Sequence, residues 1–386
     1  MGNMTTLQIV GNSSYGGASY LILKWCKYLV QQGCGVDVLA TDSYFCEKLF
    51  EIPGIHVIEN IFIPRNIELL QDFKAFRKLS KLISKRNYDI VHTYTATPGF
   101  LGRIAAKFVG VPVIFHHQAG WTVTEYSSIS ERLIYTPLEF IAVLASTKSI
   151  CVSRAVASQA KQHHIAPQSK LITICNGIDP QPFINSATNG FKDSLRCELG
   201  LTTDHLLIGN SGRLSPQKDN ASLIKAMIPL KTLLGDRLFS LLLAGDGSDR
   251  YELENLAESL KIKKQVFFLG FYKDIPKFLA ELDIFVNPSL WEGLSISLLE
   301  AMAAAKPIIT TSILPNAELI DHEATGLLVS PKSPAQIAKA IARFVQEPEL
   351  AKKCAFNARR RLLKRYTIDR MFQETWELYC SLMRNS

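Results

Sequence analysis

Short apolar runs alternate with longer amphipathic segments along most of this chain. The runs at residues 7–11 and 35–40 have the length and apolar continuity of strands that are buried on both faces of a sheet. Between them, residues 18–30 repeat apolar side chains at helical spacing, and another helical pattern covers residues 100–109. Further strands are predicted at residues 88–93, 111–116, 149–153 and 171–175. This alternation predicts a doubly wound parallel sheet, in the α/β class.

The same alternation starts again after residues 176–190, a stretch rich in turn-forming residues and therefore a predicted linker. Its strands are predicted at residues 205–211, 239–244, 266–270, 283–289, 307–311 and 326–329. We predict two tandem Rossmann-like domains, residues 1–180 and 181–365, followed by a terminal amphipathic helix within residues 366–386. Such sheets bind ligands beyond the carboxyl ends of their strands, so the two edges are expected to face each other across a cleft.

Composition places this chain among ordinary folded proteins. Its 386 residues are more than one hydrophobic core usually holds, which supports two domains. The eight cysteines are scattered without a C-x-x-C pair, as expected for free thiols in a reducing compartment. The N-terminus lacks the basic and then apolar pattern of a signal peptide, and no apolar run is long enough to cross a bilayer. We expect a cytoplasmic protein.

The net charge of +8 is concentrated locally. Six basic residues punctuate a helical pattern at residues 70–86: Lys74, Arg77, Lys78, Lys81, Lys85 and Arg86. This basic outer face is either simply solvated or attracted to anionic lipid headgroups or an anionic lipid-linked acceptor. Nucleic acid is not an expected partner, because no nucleic-acid motif accompanies the charge.

Two glutamates in the segment 287–302 carry the main functional signal. Glu292 is predicted in a loop after a buried strand, and Glu300 about two turns into the next helix, roughly 9 Å further along its axis. Gly293, Leu294 and Ser295 lie between them, where a helix N-terminus attracts phosphate. The alternatives are an ordinary acid at a helix start for Glu292 and a solvated helical residue for Glu300.

Polar loops follow three other predicted strands of the second half. Arg213 and Lys218 lie in the first loop and either meet a diphosphate or are two exposed cations. Asp246 in the second loop is predicted to cap the following helix. In the third loop, Phe271 either packs in the core or lies beside a nucleotide base.

Together, these motifs resemble the retaining glycosyltransferases of the GT-B fold, in the bacterial branch that builds capsule, exopolysaccharide or O-antigen chains of lipopolysaccharide. The resemblance rests on E-G-x-x-x-x-x-x-E-A-M from Glu292, G-R-x-S-x-x-K from Gly212 and a Gly-Gly turn after the first strand, and it covers nearly the whole chain. It implies a C-terminal helix that crosses back onto the first domain.

The resemblance also assigns roles to the candidate residues. Glu292 would contact the donor sugar, and Glu300 would hold the ribose hydroxyls. Arg213 and Lys218 would neutralise the diphosphate, which the turn Gly16–Gly17 would approach from the first domain. No Asp-x-Asp pair is present, so we expect neither a metal ion nor another cofactor.

Some positions depart from the family pattern. In the family that this chain resembles, many relatives have a histidine at the position of Ala119. Either His117 takes over its catalytic role from nearby, or the role is absent and His117 is a surface or structurally satisfied histidine. Glycines of the family are replaced by Ala305, Leu314 and Pro315, which leaves the identity of the sugar open.

We therefore expect a metal-independent, retaining transferase that moves a hexose or N-acetylhexosamine from a UDP-sugar, in preference to a GDP-sugar. The expected acceptor is a lipid-linked glycan, met by a peripheral enzyme on the inner face of the cell membrane. A nucleotide-sugar epimerase of the same fold and a non-catalytic nucleotide-sugar-binding subunit are the alternatives.

Overall fold

The computed structural model describes residues 4–11, 16–64, 67–124, 127–188 and 194–384. The chain divides into two compact units. Unit 1 contains Met1–Cys175 and Met371–Ser386, and unit 2 contains Asn176–Arg370. Each unit is built on one parallel sheet, so the predicted pair of doubly wound α/β domains is confirmed.

The sheet of unit 1 has seven strands. They are β1 (Thr5–Gly11), β2 (Gly35–Ala40), β3 (Ile55–Ile58), β4 (Ile90–Thr93), β5 (Val113–Gln118), β6 (Lys148–Cys151) and β7 (Leu171–Thr173). Their spatial order is β3-β2-β1-β4-β5-β6-β7. Strands such as β4 are buried along their whole length, which explains their continuous apolar runs. The sequence pattern does not predict β3, a short edge strand that is mostly not fully buried.

In the described part of unit 1, six α-helices connect these strands. They are α1 (Gly17–Gln31), α2 (Ser43–Phe50), α3 (Leu69–Arg86), α4 (Ala96–Val109), α5 (Ile129–Ala145) and α6 (Arg154–Gln162). The connections from β3 to β4, β4 to β5 and β5 to β6 all cross the sheet in one direction, whereas those from β1 to β3 run in the other. Because crossovers between parallel strands are right-handed, α3, α4 and α5 lie on one face and α1 and α2 on the other. We call α3, α4 and α5 the α3–α5 layer; in it, α4 contacts both of its neighbours.

The sheet of unit 2 has six strands. They are β8 (Leu206–Ser211), β9 (Phe239–Ala244), β10 (Val266–Gly270), β11 (Ile284–Asn287), β12 (Ile308–Thr311) and β13 (Leu327–Val329). Their spatial order is β10-β9-β8-β11-β12-β13. The core against this sheet consists of aliphatic side chains from the strands and from the helices that cover them.

The described residues of unit 2 form nine α-helices. They are α7 (Gln181–Thr188), α8 (Ser194–Glu198), α9 (Asn220–Leu234), α10 (Arg250–Ser259), α11 (Ile275–Glu281), α12 (Ile296–Ala303), α13 (Leu314–Leu319), α14 (Pro334–Gln346) and α15 (Pro348–Arg365). Helix α7 lies inside the predicted linker, whose last two residues fall outside the described part of the chain. Pro182 occupies the first turn of α7, where its missing N–H breaks no helical hydrogen bond. A turn-rich composition is therefore compatible with this helix, which packs against α11.

The last helix, α16 (Ile368–Met383), joins unit 1 from Met371 onward. Its Phe372 and Tyr379 rings lie 5.3 and 5.4 Å from the ring of Trp25 in α1. The Tyr379 hydroxyl lies 2.7 Å from Nδ1 of His92 in β4. Aromatic packing and a buried hydrogen bond thus make α16 part of the α1 face of unit 1.

Candidate active site

Two of the predicted donor residues, Lys218 and Glu292, lie where the strand order of unit 2 reverses. The chain runs from β8 outward to β9 and β10, and then crosses back to β11 on the other side of β8. The loops that follow β8 and β11 therefore lie side by side at the switch point, where open parallel sheets usually have a ligand-binding crevice. Lys218 comes from the first of these loops and Glu292 from the second.

Lys218 and Glu292 contact each other directly. Lys218 Nζ lies 2.5 Å from Glu292 Oε1, and the Ser289 hydroxyl donates to the same oxygen at 2.8 Å. Gln217 Nε2 donates to the other oxygen at 3.4 Å. The two charged side chains are only 15% and 8% exposed. Weak solvation strengthens the attraction between them, so the ammonium and the carboxylate are held as one unit at the crevice.

A buried polar network fixes the loop that carries Glu292. The Asn287 side chain accepts from the backbone N–H of Ser289 at 3.0 Å and donates to Ser295 Oγ at 2.9 Å. Thr311 Oγ1 at the end of β12 donates to the Ser289 carbonyl at 2.5 Å. These buried hydrogen bonds tie the loop to two strands, because unsatisfied polar groups there would be costly. The sequence analysis did not identify Asn287, Ser289, Thr311 or Gln217.

Helix α12 begins later than the sequence pattern predicts. Ser295 is its N-cap residue, but its side chain caps no N–H group and instead bonds Asn287. Gly293 and Leu294 lie in the loop before the helix. The N-terminus of α12, which is the positive end of the helix dipole, therefore follows directly after the loop that carries Glu292. A helix N-terminus in such a loop is a typical anion-binding position.

Glu300 is the fifth residue of α12, so the prediction of two full turns was wrong and it lies little more than one turn into the helix. Its side chain is half-buried, which contradicts the fully solvated alternative. Burial raises the pKa of Glu300 to about 7, and the positive charge of Lys218 partly opposes this shift. Lys218 therefore acts on both glutamates.

The loops after β8 and β9 fit together through glycines. A Cβ atom on Gly245 would lie 1.9 Å from the Gly212 carbonyl oxygen, and one on Gly247 would lie 2.2 Å from that of Leu214. The Leu214 N–H also donates to the Asp246 carbonyl at 3.0 Å. This close approach fixes the backbone on both sides of Arg213.

Three other predictions for unit 2 have clear outcomes. Arg213 is exposed at the carboxyl edge of the sheet and does not join the Lys218–Glu292 pair. Phe271 is 67% exposed, which contradicts the alternative of core packing; its place beside a nucleotide base remains a prediction. The capping prediction for Asp246 was wrong: α10 begins later, and Asp246 instead pairs with Arg250 at 3.2 Å.

Ala305, which stands where the family has a glycine, lies at the end of α12. Ala305 has a φ of 49°, a left-handed conformation that favours glycine. The Ala305 and Lys306 N–H groups donate to the carbonyls of Met302 and Ala301, the two bonds of a Schellman motif. Alanine thus occupies the helix-ending position despite the strain, which costs about 1–2 kcal/mol.

The candidates in unit 1 lie at the carboxyl edge of its sheet. Gly16 precedes α1, and a Cβ atom on it would meet no described atom within 4 Å. Residues 12–15 of this predicted turn lie outside the described part of the chain. His117 is half-buried, and its ring centroid lies 5.7 Å from that of Tyr94 and 6.2 Å from that of His92. The roles of Gly16, Gly17 and His117 remain predictions.

Sequence reasoning missed a buried cation in unit 1. Arg103 of α4 is 1% exposed, and its Nε donates to the Gly99 carbonyl at 2.9 Å. Its Nη2 lies 3.9 Å from a carboxylate oxygen of Glu139 in α5. Burial lowers the pKa of Arg103 to about 10, while Glu139 opposes the shift. The pair joins two helices, and nothing in the local sequence distinguishes Arg103 from a surface arginine.

In the described part of the chain, no helix is both long and apolar enough to cross a membrane. The same residues contain no group of three or more His, Cys, Asp or Glu side chains placed to hold a metal ion.

Comparison with known proteins gives matches over both units. Residues 15–182 match the family model "Glycosyltransferase Family 4", and residues 191–361 match "Glycosyl transferases group 1". A UDP-Gal:alpha-D-GlcNAc-diphosphoundecaprenol alpha-1,3-galactosyltransferase of Escherichia coli is 31% identical over 335 residues, which are 85% of each chain. The capsular polysaccharide biosynthesis glycosyltransferase CapM of Staphylococcus aureus is 22% identical over 93% of each chain.

Solved structures have the same fold. The Anabaena protein HepE, crystallised with UDP-glucose, superimposes with a TM-score of 0.83 at 23% identity, over 98% of this chain and 100% of that one. Two parallel-sheet units, one with an ion pair and a helix N-terminus at its switch point, define an α/β protein with two Rossmann-like domains. The chain belongs to the GT-B family of nucleotide-sugar glycosyltransferases.

Proposed function

We propose that this protein transfers a hexose or N-acetylhexosamine from a UDP-sugar to a lipid-linked glycan, with retention of configuration and without a metal ion. The observation that carries the proposal is the Lys218–Glu292 pair at the switch point of unit 2. The E. coli relative acts on a diphosphoundecaprenol-linked sugar, which supports a lipid-linked acceptor in capsule or O-antigen synthesis.

The chemistry follows from where charge develops. The acceptor hydroxyl bonds to the anomeric carbon as the bond from that carbon to the β-phosphate oxygen breaks. Lys218, Arg213 and the N-terminus of α12 stabilise the negative charge that accumulates on the departing UDP. Glu292 lies beside the sugar, which becomes positive in the transition state. The hydroxyl proton passes to the departing phosphate on the same face, which gives retention; nucleophilic attack by Glu292 is the alternative route.

In this proposal two cations and a helix end replace a metal ion. A divalent cation usually neutralises a departing diphosphate. Here Lys218 and Arg213 follow β8, and α12 follows β11, so fixed positive groups border the same crevice. The absence of an Asp-x-Asp pair from the sequence is consistent with this division of roles.

The function is tested with the full-length protein, a panel of UDP- and GDP-sugars and a polyprenyl-diphosphate-linked N-acetylglucosamine. We expect transfer from a UDP-sugar, a product with the anomeric configuration of the donor by NMR, and an unchanged rate in excess EDTA. Inversion would refute the same-face mechanism, and loss of activity in EDTA would refute metal independence. Conversion of the donor to its epimer without acceptor would favour the epimerase alternative.

Glu300 gives a pH-dependent prediction. If its carboxylate accepts hydrogen bonds from the ribose, UDP binds best to the ionised form, and the pKa of about 7 places that ionisation within the assay range. The ionised fraction falls as pH drops through 7, so the Kd for UDP should rise about tenfold from pH 8 to pH 6. Titration of UDP itself is removed by subtracting the profile of the Glu300→Gln variant, measured by calorimetry. Identical profiles would contradict the ribose role.

The same shift has a consequence for stability. The folded pKa of Glu300 lies above its ordinary value of 4.5, so between these two values the folded state binds more protons than the unfolded state. This group therefore opposes folding increasingly as pH rises from about 4.5 to 7.

A further inference from the structure

The outer surface of α5 is apolar along nearly its whole length. Its exposed residues beyond the first turn are Leu133, Ile134, Pro137, Phe140, Ile141 and Leu144, and the first turn adds Ile129, Ser130 and Glu131. Leu133 and Ile129 are 72% and 79% exposed. At 100° per residue, the seven apolar positions fall within an arc of about 140° along a helix about 25 Å long.

Such a face is unusual on a water-exposed helix. Exposed apolar side chains are normally scattered, whereas a contiguous apolar patch marks a binding surface. The charged residue of the first turn, Glu131, lies outside the arc and accepts from the Ser128 N–H at 2.7 Å in a capping box. The opposite side of α5 packs inward, through Ala142, Val143 and Ala145.

The neighbouring helix α3 supplies positive charge on the same side of unit 1. Its exposed residues begin with Leu69, Leu70 and Phe73 and continue with Lys74, Arg77, Lys78, Lys81 and Lys85. Since α3 and α5 both belong to the α3–α5 layer and α4 lies between them, their outer sides face away from the same face of the sheet. The C-terminal end of α4 adds exposed Lys107 and Phe108.

We propose that the α3–α5 layer docks on an anionic bilayer, with the apolar face of α5 inserted among the acyl chains and the lysines of α3 against the headgroups. Apolar surface combined with adjacent basic charge is what an interfacial helix requires. A second copy fits less well, because two α3–α5 layers that meet face to face would oppose their lysines. The opposite face of the sheet, covered by α1, is already packed against α16.

The direction of the helices relates this docking to the position of the proposed acceptor. Helices α3 and α5 both follow strands and run back across the sheet, so their first turns lie at the carboxyl edge of unit 1. Leu69 and Leu70 are in the first turn of α3, and Ile129 is in that of α5. The inference deepens the proposed function, because a lipid-linked acceptor would emerge from the bilayer next to that edge.

The test uses full-length protein and extruded vesicles of phosphatidylglycerol and phosphatidylcholine, without donor or acceptor, in flotation at low and high salt. The variant Ile129→Gln/Leu133→Gln/Ile141→Gln should lower the partition coefficient by more than about tenfold at both salt concentrations. A variant with Lys74→Ser, Lys78→Ser and Lys81→Ser should lose only the salt-sensitive part of the binding. All six side chains are exposed, so folding should be retained.

The matched control variant changes three exposed apolar residues of unit 2 together: Ile228→Gln, Leu238→Gln and Phe356→Gln. This variant should bind vesicles like the unchanged protein. The fluorescence of the new tryptophan in a Phe140→Trp variant should be quenched by brominated lipid.

Unaltered flotation of the α5 variant would overturn the proposal. So would a lipid-free dimer, seen by sedimentation, that the α5 substitutions dissociate. Transfer to a short, water-soluble acceptor should be unaffected by the α5 changes, which separates this inference from the proposed function.

Discussion

Replacing Lys218 by alanine should slow sugar transfer by about 10²- to 10³-fold, the usual effect of losing one preorganised donor to a developing negative charge. The loss should appear in kcat more than in KM, because the charge on UDP grows as the sugar leaves. Single-turnover kinetics with saturating donor measure it directly.

The fold should survive this substitution. Ser289 and Gln217 still donate to Glu292 when the lysine is absent, so the carboxylate keeps partners. Lys273 is an exposed lysine in the loop after β10, at the same edge of the sheet, and Lys273→Ala is the matched control. Equal activities of the two variants would remove Lys218 from the diphosphate site. Because Lys218 lowers the pKa of Glu300, the midpoint of the UDP pH profile should also move upward.

The second large effect is expected from Glu292→Gln, which should separate binding from chemistry. Without its carboxylate partner, Lys218 is available to UDP, and the Kd should fall by at least about fivefold, since even a solvent-exposed ion pair contributes up to about 1 kcal/mol and this one is mostly buried. Transfer should nevertheless slow by about 10²-fold or more, because the sugar loses the negative charge that faces its developing positive charge. Calorimetry with UDP and single-turnover transfer give the two numbers.

The control for this variant is Ser289→Ala. It removes one donor to Glu292 Oε1 and leaves the ion pair in place, so both numbers should change little. Weaker UDP binding by the glutamine variant would show instead that the carboxylate holds Lys218 in position for the diphosphate.

The sequence predicted most strands better than it predicted the edge strand β3 and the start of helix α12. Strands such as β9 and β10 are short apolar runs between turn residues, and their predicted bounds agree with the structure. Strand β3 escaped detection because an edge strand does not need a continuous apolar run. The start of α12 was set too early, because Leu294 belongs to the loop and Ser295 is the N-cap residue.

The donor residues were predictable individually, but their contact was not. Lys218 and Glu292 are 74 positions apart, and only the reversal of strand order brings their loops together. The raised pKa of Glu300 depends on burial, which the sequence does not specify. The apolar face of α5 escapes sequence reasoning for a related reason: apolar residues occupy both sides of this helix, and only packing determines which side faces outward.

The position of α16 has a consequence during synthesis. Trp25 and Tyr28 of α1 pack against Phe372, which is translated only after all of unit 2. At the usual elongation rate of about 5–20 residues per second, these aromatic rings lack their partner for roughly 17–70 s. Unit 1 therefore cannot complete its packing as it leaves the ribosome, because this packing requires α16 at the end of the chain.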